Sequence, residues 1–481
     1  MSTARARLRD FLPDANELAL LFAARGLSCV AAWHSGFRAL SDDDYARIAI
    51  AQRFAHAPSF DPTGTSWLPA PFWIYGAMFR CFGTGLGVAR ATAIAAGLAA
   101  TVLVYVAARL LGAARFGALL GAVFSAVLVP YSALLGIAAL PEVPCAALLV
   151  FASATLARPE SGIRALGGLS LGAACLSRYE AWPVALIFAL YTGWDALRAQ
   201  QPRLLGSLLL AVAAPTVWLI VGIVEHGDAL FFIARVAAYR RALGGAPPSW
   251  FLSLIEYPRL LLWDAMLLWA MLLVWGFMSR KMGAGTPLRF WRALSALVAL
   301  LVFLMVGSLR DGVPTHHAAR VLLPIWFFAS ILAGHFLARR ALTRAARWRV
   351  GFVVALIGCS VLFQDDLAFP DESFARRAAE LDAGSRARED ARSSLAIDTP
   401  DYGFFAVQAG FGSPGDTIVL DDHDPRRPSP SPFRDRASAE QTLRDRGAKF
   451  AIVSNAHAAL LEPLCAKLWQ NSSFSLLNCR P

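Results

Sequence analysis

The sequence is poor in charge. Asp, Glu, Lys and Arg make up only 16% of its 481 residues, against roughly 25% in a typical soluble domain. With 57% hydrophobic residues, that scarcity excludes a chain built of ordinary water-soluble domains. Several signatures are missing as well. There is no phosphate-cradling Gly-x-x-x-x-Gly-Lys loop, no clear Gly-x-Gly-x-x-Gly turn, no paired Cys-x-x-Cys and no His-Glu-x-x-His helix. The sequence therefore offers no sign of P-loop, dinucleotide or zinc chemistry. A cleavable leader is not evident either. Arg5, Arg7 and Arg9 precede an apolar block from about Leu18 to Trp33, but Arg25 interrupts it and no small-x-small site follows, so it is expected to stay as a first helix. No internal repeat stands out, which counts against an inverted-repeat transporter.

The hydrophobic residues come in blocks of about 16–22, close to the length that crosses hydrocarbon as a helix. The blocks are 16–34, 86–110, 117–137, 142–157, 162–177, 181–196, 204–224, 258–278, 292–309, 320–338 and 349–364. Lipid offers the backbone no hydrogen-bond partner, so each must be helical. The expected fold is an α-helical polytopic membrane protein of about eleven transmembrane helices over 1–364. Its net charge of +11 comes almost wholly from Arg. Those residues sit at block ends, where they set topology, and no nucleic-acid partner is implied. With the N-terminus inside, Arg109, Arg115, Arg158, Arg164, Arg198, Arg203 and the 280–292 and 339–349 clusters all fall inside.

Two large loops, 35–85 and 225–257, then lie outside. The first holds a stretch from Asp43 to Ala55 that could form an interfacial helix with Arg47 and Arg53 toward water. The second holds Leu230 to Leu243, stopped by Gly244-Gly245 and Pro247-Pro248. The tail, 365–481, changes character. Two strand-like runs, 417–420 and 449–454, flank a helical stretch at 438–446, which describes a small α/β domain. An odd helix count puts that domain on the outer, extracytoplasmic side, where Cys465 and Cys479 could pair or stay free thiols.

Chemistry is most concentrated at Ser41-Asp42-Asp43-Asp44-Tyr45. Three consecutive carboxylates could cap a helix and favour its positive end. They could equally supply a general base, or a divalent cation site at Asp42 and Asp43, facing a pocket under the outer loops.

Here a family resemblance enters. The run Asp42-Asp-Asp-Tyr-Ala-Arg-Ile-Ala-Ile-Ala-Gln-Arg-Phe54, then Gly64-Thr-Ser-Trp-Leu-Pro-Ala-Pro-Phe-Trp-Ile-Tyr75 and Phe82-Gly83, resembles the first-loop motif of GT-C glycosyltransferases. It is similar to the branch that uses dolichyl- or polyprenyl-phosphate sugars, which includes the protein mannosyltransferases and the lipid A aminoarabinose transferases. Leu140-Pro141-Glu142, Leu176-Ser-Arg-Tyr-Glu-Ala-Trp-Pro183 and Ala319-Arg-Val-Leu-Leu-Pro324 resemble later segments of such enzymes, in order, across residues 16–365. The aminoarabinose transferases carry Lys-Pro-Pro where this chain has Leu68-Pro69-Ala70-Pro71.

The resemblance implies an inverting transfer of a sugar from a polyprenyl-phosphate donor to a lipid, glycan or protein acceptor at the outer face of a bacterial inner membrane. The leaving phosphate is already acidic, so the reaction needs a base and cations rather than a strong general acid. Asp42 or Asp43 would be the base, with Asp42-Asp43 favoured as the acidic pair over Asp43-Asp44. Arg178, Arg320, His316, His317, Arg240 and Arg241 are candidates to hold the phosphate. Asp44, Tyr45, Trp67, Glu142, Tyr179 and Glu180 are candidates to contact acceptor or sugar. An O-antigen polymerase or ligase, and a lipid or sugar flippase, are the competing readings. The flippase would place ionisable residues at mid-membrane, where Arg25 and Asp264 are the two that stand out.

Overall fold

The computed structural model describes residues 9–242, 249–280, 290–312, 317–338, 374–390, 394–426, 432–462 and 464–479. The expected helix at 349–364 lies outside them. Helix α1 (Ala15–His34) opens with a reciprocal cap between Asp14 and Glu17, which satisfies two otherwise orphaned amides. Helices α2 (Asp42–His56) and α3 (Ala70–Phe82) fill the first large loop. Helix α4 (Leu86–Leu111) ends on Gly112, whose φ of 102° is open to glycine without strain.

Five helices among the described residues are long and apolar enough to cross a membrane: Ala15–His34, Leu86–Leu111, Arg203–His226, Trp291–Arg310 and Ala318–Ala338. With α10 defined as Arg203–His226 and α9 as Ala181–Ala199, large apolar side chains such as Leu190, Leu197, Leu209 and Val224 stand exposed on their outer faces. Such faces fit hydrocarbon, and the chain is an integral membrane protein.

Two expected spans are broken among the described residues. The block 117–137 divides into α5 (Arg115–Val127) and a short α6 (Pro130–Leu134). Pro130 has no N–H to continue the ladder and disfavours helix in the residue before it. Arg25 fills the break. Its guanidinium donates to the Ser132 carbonyl at 2.6 Å, to Ser132 Oγ at 3.0 Å and to Thr101 Oγ1 at 3.0 Å. This mid-helix charge is therefore a clasp on freed backbone. The block 258–278 divides into α12 (Trp250–Trp263) and α13 (Met266–Arg280), with Asp264 as the cap between them. The indoles of Trp269 and Trp326 both donate to the Leu261 carbonyl, at 2.7 and 3.0 Å, and so satisfy backbone released by that break.

Helices α7 (Glu142–Thr155), α8 (Ser161–Cys175), α11 (Phe231–Ala242), α14 (Trp291–Asp311) and α15 (Leu323–Ala338) complete the bundle. Helix α5 meets α15 through Gly117, Gly121 and Gly334. A Cβ on Gly334 would stand 2.4 Å from the Gly121 nitrogen, an approach that only small residues allow.

The tail adds helices α16 (Ala378–Asp390), α17 (Phe404–Phe411), α18 (Arg436–Asp445) and α19 (Asn455–Leu461) around a five-stranded sheet. Its strands are β1 (Leu395–Ile397), β2 (Thr417–Val419), β3 (Phe450–Ser454), β4 (Cys465–Gln470) and β5 (Phe474–Cys479), ordered β2-β1-β3-β5-β4. Strand β1 runs parallel to β2 and β3; β5 runs antiparallel to β3 and β4. Cys465 and Cys479 face each other across β4 and β5 and form a disulfide.

This α/β unit sits on the first large loop. Gln52 of α2 donates to the carbonyls of Thr84, at 2.8 Å, and Ala409 of α17, at 2.9 Å. Tyr239 of α11 meets Tyr402 hydroxyl to hydroxyl at 3.0 Å. Both large loops and the tail therefore share one face of the bundle.

Candidate active site

On that face, segments distant in sequence bring a mixed-charge cluster together. Glu142 is the first residue of α7, where a carboxylate favours the positive helix end. Its side chain is 1% exposed. Arg178, in the loop between α8 and α9, is ion-paired with Glu142 and with Glu180, the latter at 2.8 Å. Arg320 stands on a single 3-10 turn, Ala318–Leu322, leading into α15. Its Nε is 3.4 Å from Glu142 and its Nη2 3.4 Å from Asp43.

Arg47 completes the group. It follows Asp43 by one helical turn, which puts both on one side of α2. The interfacial helix exists, but Arg47 is not turned to water. It is 9% exposed, packed 4.4 Å from the Trp67 ring and 5.5 Å from that of Phe72. Among the described residues its Nε and Nη1 have no hydrogen-bond partner, and neither has Glu142 Oε2.

The electrostatics follow from this crowding. Burial disfavours the Arg47 charge and lowers its pKa, although Glu142 and Asp43 act in the opposite sense. Burial also works against Arg178, but Glu180 and Glu142 overcome it and raise its pKa above the ordinary value. Burial likewise works against Glu180 as an anion, and Arg178 overcomes that and holds its carboxyl below the usual range. Arg178 and Glu180 thus each favour the other's charged form.

The three aspartates separate into three environments. Asp42 is held by Arg377, which donates to both of its oxygens at 2.9 Å. Asp43 keeps 40% of its side chain exposed and faces Arg320. Asp44 is fully buried. It accepts from the Leu40 amide at 2.8 Å and the Ala139 amide at 2.7 Å. Burial raises its pKa, with Arg90 and those two amides acting the other way. Asp44 therefore cannot meet an acceptor; it ties the turn before Glu142 to the first loop. Asp44→Ala would leave two buried amides without acceptors, at about 1–3 kcal/mol each. A fall of several degrees in the thermal midpoint of the detergent-solubilised protein is the expected result.

Other expected contacts are also relocated. Tyr45 is buried beneath the tail, its hydroxyl near the carbonyls of Ala375 and Arg376. Tyr179 stacks on Phe232 at 4.0 Å, and its hydroxyl accepts from the Trp218 indole at 3.0 Å. Glu142 and Glu180 serve as counter-ions of Arg178 and Arg320 rather than as open acceptor contacts. His317 is buried beside Tyr131, 3.3 Å from its hydroxyl, and stacks against Phe374. Arg241 is exposed and reaches back to the Ala237 carbonyl of its own helix. His316 and the side chain of Arg240 lie outside the described residues.

At the expected divalent-cation site, guanidiniums stand beside both carboxylates, Arg377 at Asp42 and Arg320 at Asp43. Among the described residues the group with donor atoms within metal-ligating reach of one another is Asp61, Glu225 and His226, all within 4.8 Å. Two participants escaped sequence reasoning. Arg47 was recoverable from its one-turn spacing to Asp43. Arg377 carries no local signal, since it meets Asp42 across 335 residues.

Comparison with known proteins gives the fold a context. No protein-family model and no curated protein matches the chain. Among solved structures, ArnT from Cupriavidus metallidurans in the apo state is similar at a TM-score of 0.62 and 15% identity, covering 97% of this chain and 98% of that one. ArnT from the same organism bound to undecaprenyl phosphate is similar at 0.61 and 15%, covering 96% and 98%. The resemblance to the aminoarabinose transferase branch of the GT-C glycosyltransferases is thus shown at the level of fold.

Proposed function

We propose that this protein is a membrane glycosyltransferase that moves a sugar from a polyprenyl-phosphate donor to an acceptor at the outer face of a bacterial inner membrane, with the N-terminus cytoplasmic and the α/β unit outside. The observation that carries the reading is the buried Arg47, with two nitrogens unpartnered among the described residues, beside Arg178 and Arg320 and one turn from the half-exposed Asp43. A buried guanidinium with unused donors is a place for an anion, and a phosphate monoester or diester supplies matching oxygens. The solved neighbour bound to undecaprenyl phosphate supports the lipid class.

In this reading Arg47, Arg178 and Arg320 hold the donor phosphate. The acceptor oxygen or nitrogen attacks the anomeric carbon from the side opposite the phosphate. The bond from that carbon to the phosphate oxygen breaks, and polyprenyl phosphate leaves with the electron pair. The acceptor proton passes to Asp43, and the configuration inverts. Arginines that stay charged stabilise the departing phosphate without reorganising. Asp42 keeps α2 tied to the tail through Arg377.

The test is release of polyprenyl phosphate by reconstituted protein given a panel of radiolabelled polyprenyl-phosphate sugars and an envelope lipid extract as acceptor. Protein-dependent release with label transfer, insensitive to chelator, is expected. Binding of the donors with no release, but movement of the lipid between leaflets, would replace this reading with the flippase.

A further inference from the structure

A second basic cavity lies at the other end of the same helices. Helix α8 runs from this cavity toward Arg178, and α9 runs back from Arg178 to the cavity. Their 15 and 19 residues span roughly 22 and 28 Å at 1.5 Å per residue, about the thickness of the hydrocarbon core. The cavity has a volume of about 510 Å³ and is lined by Arg158, Arg164, Arg198 and Arg292, with Asp195 and Trp291.

Four arginines and one carboxylate line it, and two of the four pair with that carboxylate. Asp195 pairs with Arg164 at 3.1 Å and with Arg292 at 2.6 Å. The Arg164 side chain is only 1% exposed and also donates to Thr192 Oγ1 and to the Leu156 and Arg158 carbonyls, yet its Nε has no hydrogen-bond partner among the described residues. Arg198 is exposed and stacks on Trp194 at 4.6 Å. Positive loop ends alone account for arginines near water. They do not account for a buried guanidinium with an unused donor in a concave site, because an orphaned buried donor is costly unless something binds it. The surroundings select the kind of anion. Trp291 lines the cavity and is 72% exposed, and α9, which supplies Asp195 and Arg198 to the lining, carries Leu197 between them, 77% exposed. Such a rim suits a molecule with a phosphate head and hydrocarbon tails.

We propose that this cavity binds the headgroup of an anionic phospholipid from the leaflet opposite the candidate active site. Basic pockets between membrane helices suit such headgroups, each arginine contributing electrostatic attraction. The assignment does not depend on the transferase reading, since it rests on residues at the other membrane face.

The test measures lipid binding to the delipidated full chain by native mass spectrometry. Phosphatidylglycerol is expected to bind at least tenfold more tightly than phosphatidylcholine. Arg198→Gln and Arg292→Gln are each expected to weaken phosphatidylglycerol about fivefold, leaving phosphatidylcholine unchanged. Because Arg198 is exposed, that variant keeps the fold, which an unchanged thermal midpoint would verify. Equal binding of the two lipids by the unaltered protein would overturn the proposal, as would undiminished phosphatidylglycerol binding by the Arg198 variant. Displacement of bound lipid by millimolar inorganic phosphate would reassign the cavity to a soluble anion and overturn it as well.

Discussion

Asp43→Asn is expected to lower the turnover of sugar transfer by two to four orders of magnitude while leaving polyprenyl-phosphate binding within a few-fold of the unaltered protein. A positioned general base typically contributes about 10²–10⁴ in rate, or roughly 3–5 kcal/mol of barrier. Asparagine keeps the shape and the hydrogen bond to Arg320 but cannot accept the acceptor proton. Asp43 is the aspartate of the triplet with both exposure and a place beside the arginines. Asp42 is engaged on both oxygens by Arg377, and Asp44 is engaged on both by backbone amides. Asp42→Asn would weaken the tie between α2 and the tail, so a loss of no more than about tenfold in turnover is expected, together with a lower thermal midpoint. The decisive comparison is single-turnover transfer with donor pre-bound. A collapse with Asp42→Asn and not with Asp43→Asn would move the base to Asp42 and make the Arg377 pair a gate that must open.

The bundle was legible in the sequence because lipid imposes one solution on any long apolar run, and the blocks at 16–34, 86–110 and 204–224 appear almost as read. Where reading by hydropathy alone fell short, backbone chemistry had intervened. Pro130 stops a helix that hydropathy would continue, and Asp264 marks another break. Two of the five strands described in the tail were visible for a similar reason: Thr417–Val419 and Phe450–Ser454 are short runs of β-branched and aromatic residues, while β1, β4 and β5 were not read. The site was legible as a set of segments but not as a geometry. Adjacent residues on a helix point about 100° apart, so three equal letters at 42–44 become three different environments once α2 is seated. Arg320 meets Asp43 across 277 residues, and no local pattern announces such a contact.

The two arginines that share Glu142 are expected to fail in different ways when removed. Arg178 answers two buried or half-buried carboxylates, Glu142 and Glu180. Arg178→Ala would leave both in a site that gives them little water, and breaking a buried pair from one side costs about 3–5 kcal/mol. That variant should be recovered in low yield with a sharply reduced thermal midpoint, and Glu180→Gln in the same chain should restore part of the loss. Among the described residues the ion pairs of Arg320 are long, 3.4 Å to each of Glu142 and Asp43, so it gives up little on turning toward a phosphate. Arg320→Ala should therefore fold nearly as well as the unaltered chain but bind polyprenyl phosphate about ten- to a hundredfold more weakly, the equivalent of one charge-assisted contact of about 1.5–3 kcal/mol. Titration with sugar-free polyprenyl phosphate, alongside thermal unfolding, separates the two outcomes. Full-strength binding by a folded Arg320→Ala protein would remove this arginine from the phosphate site and leave Arg47 and Arg178 to hold the donor.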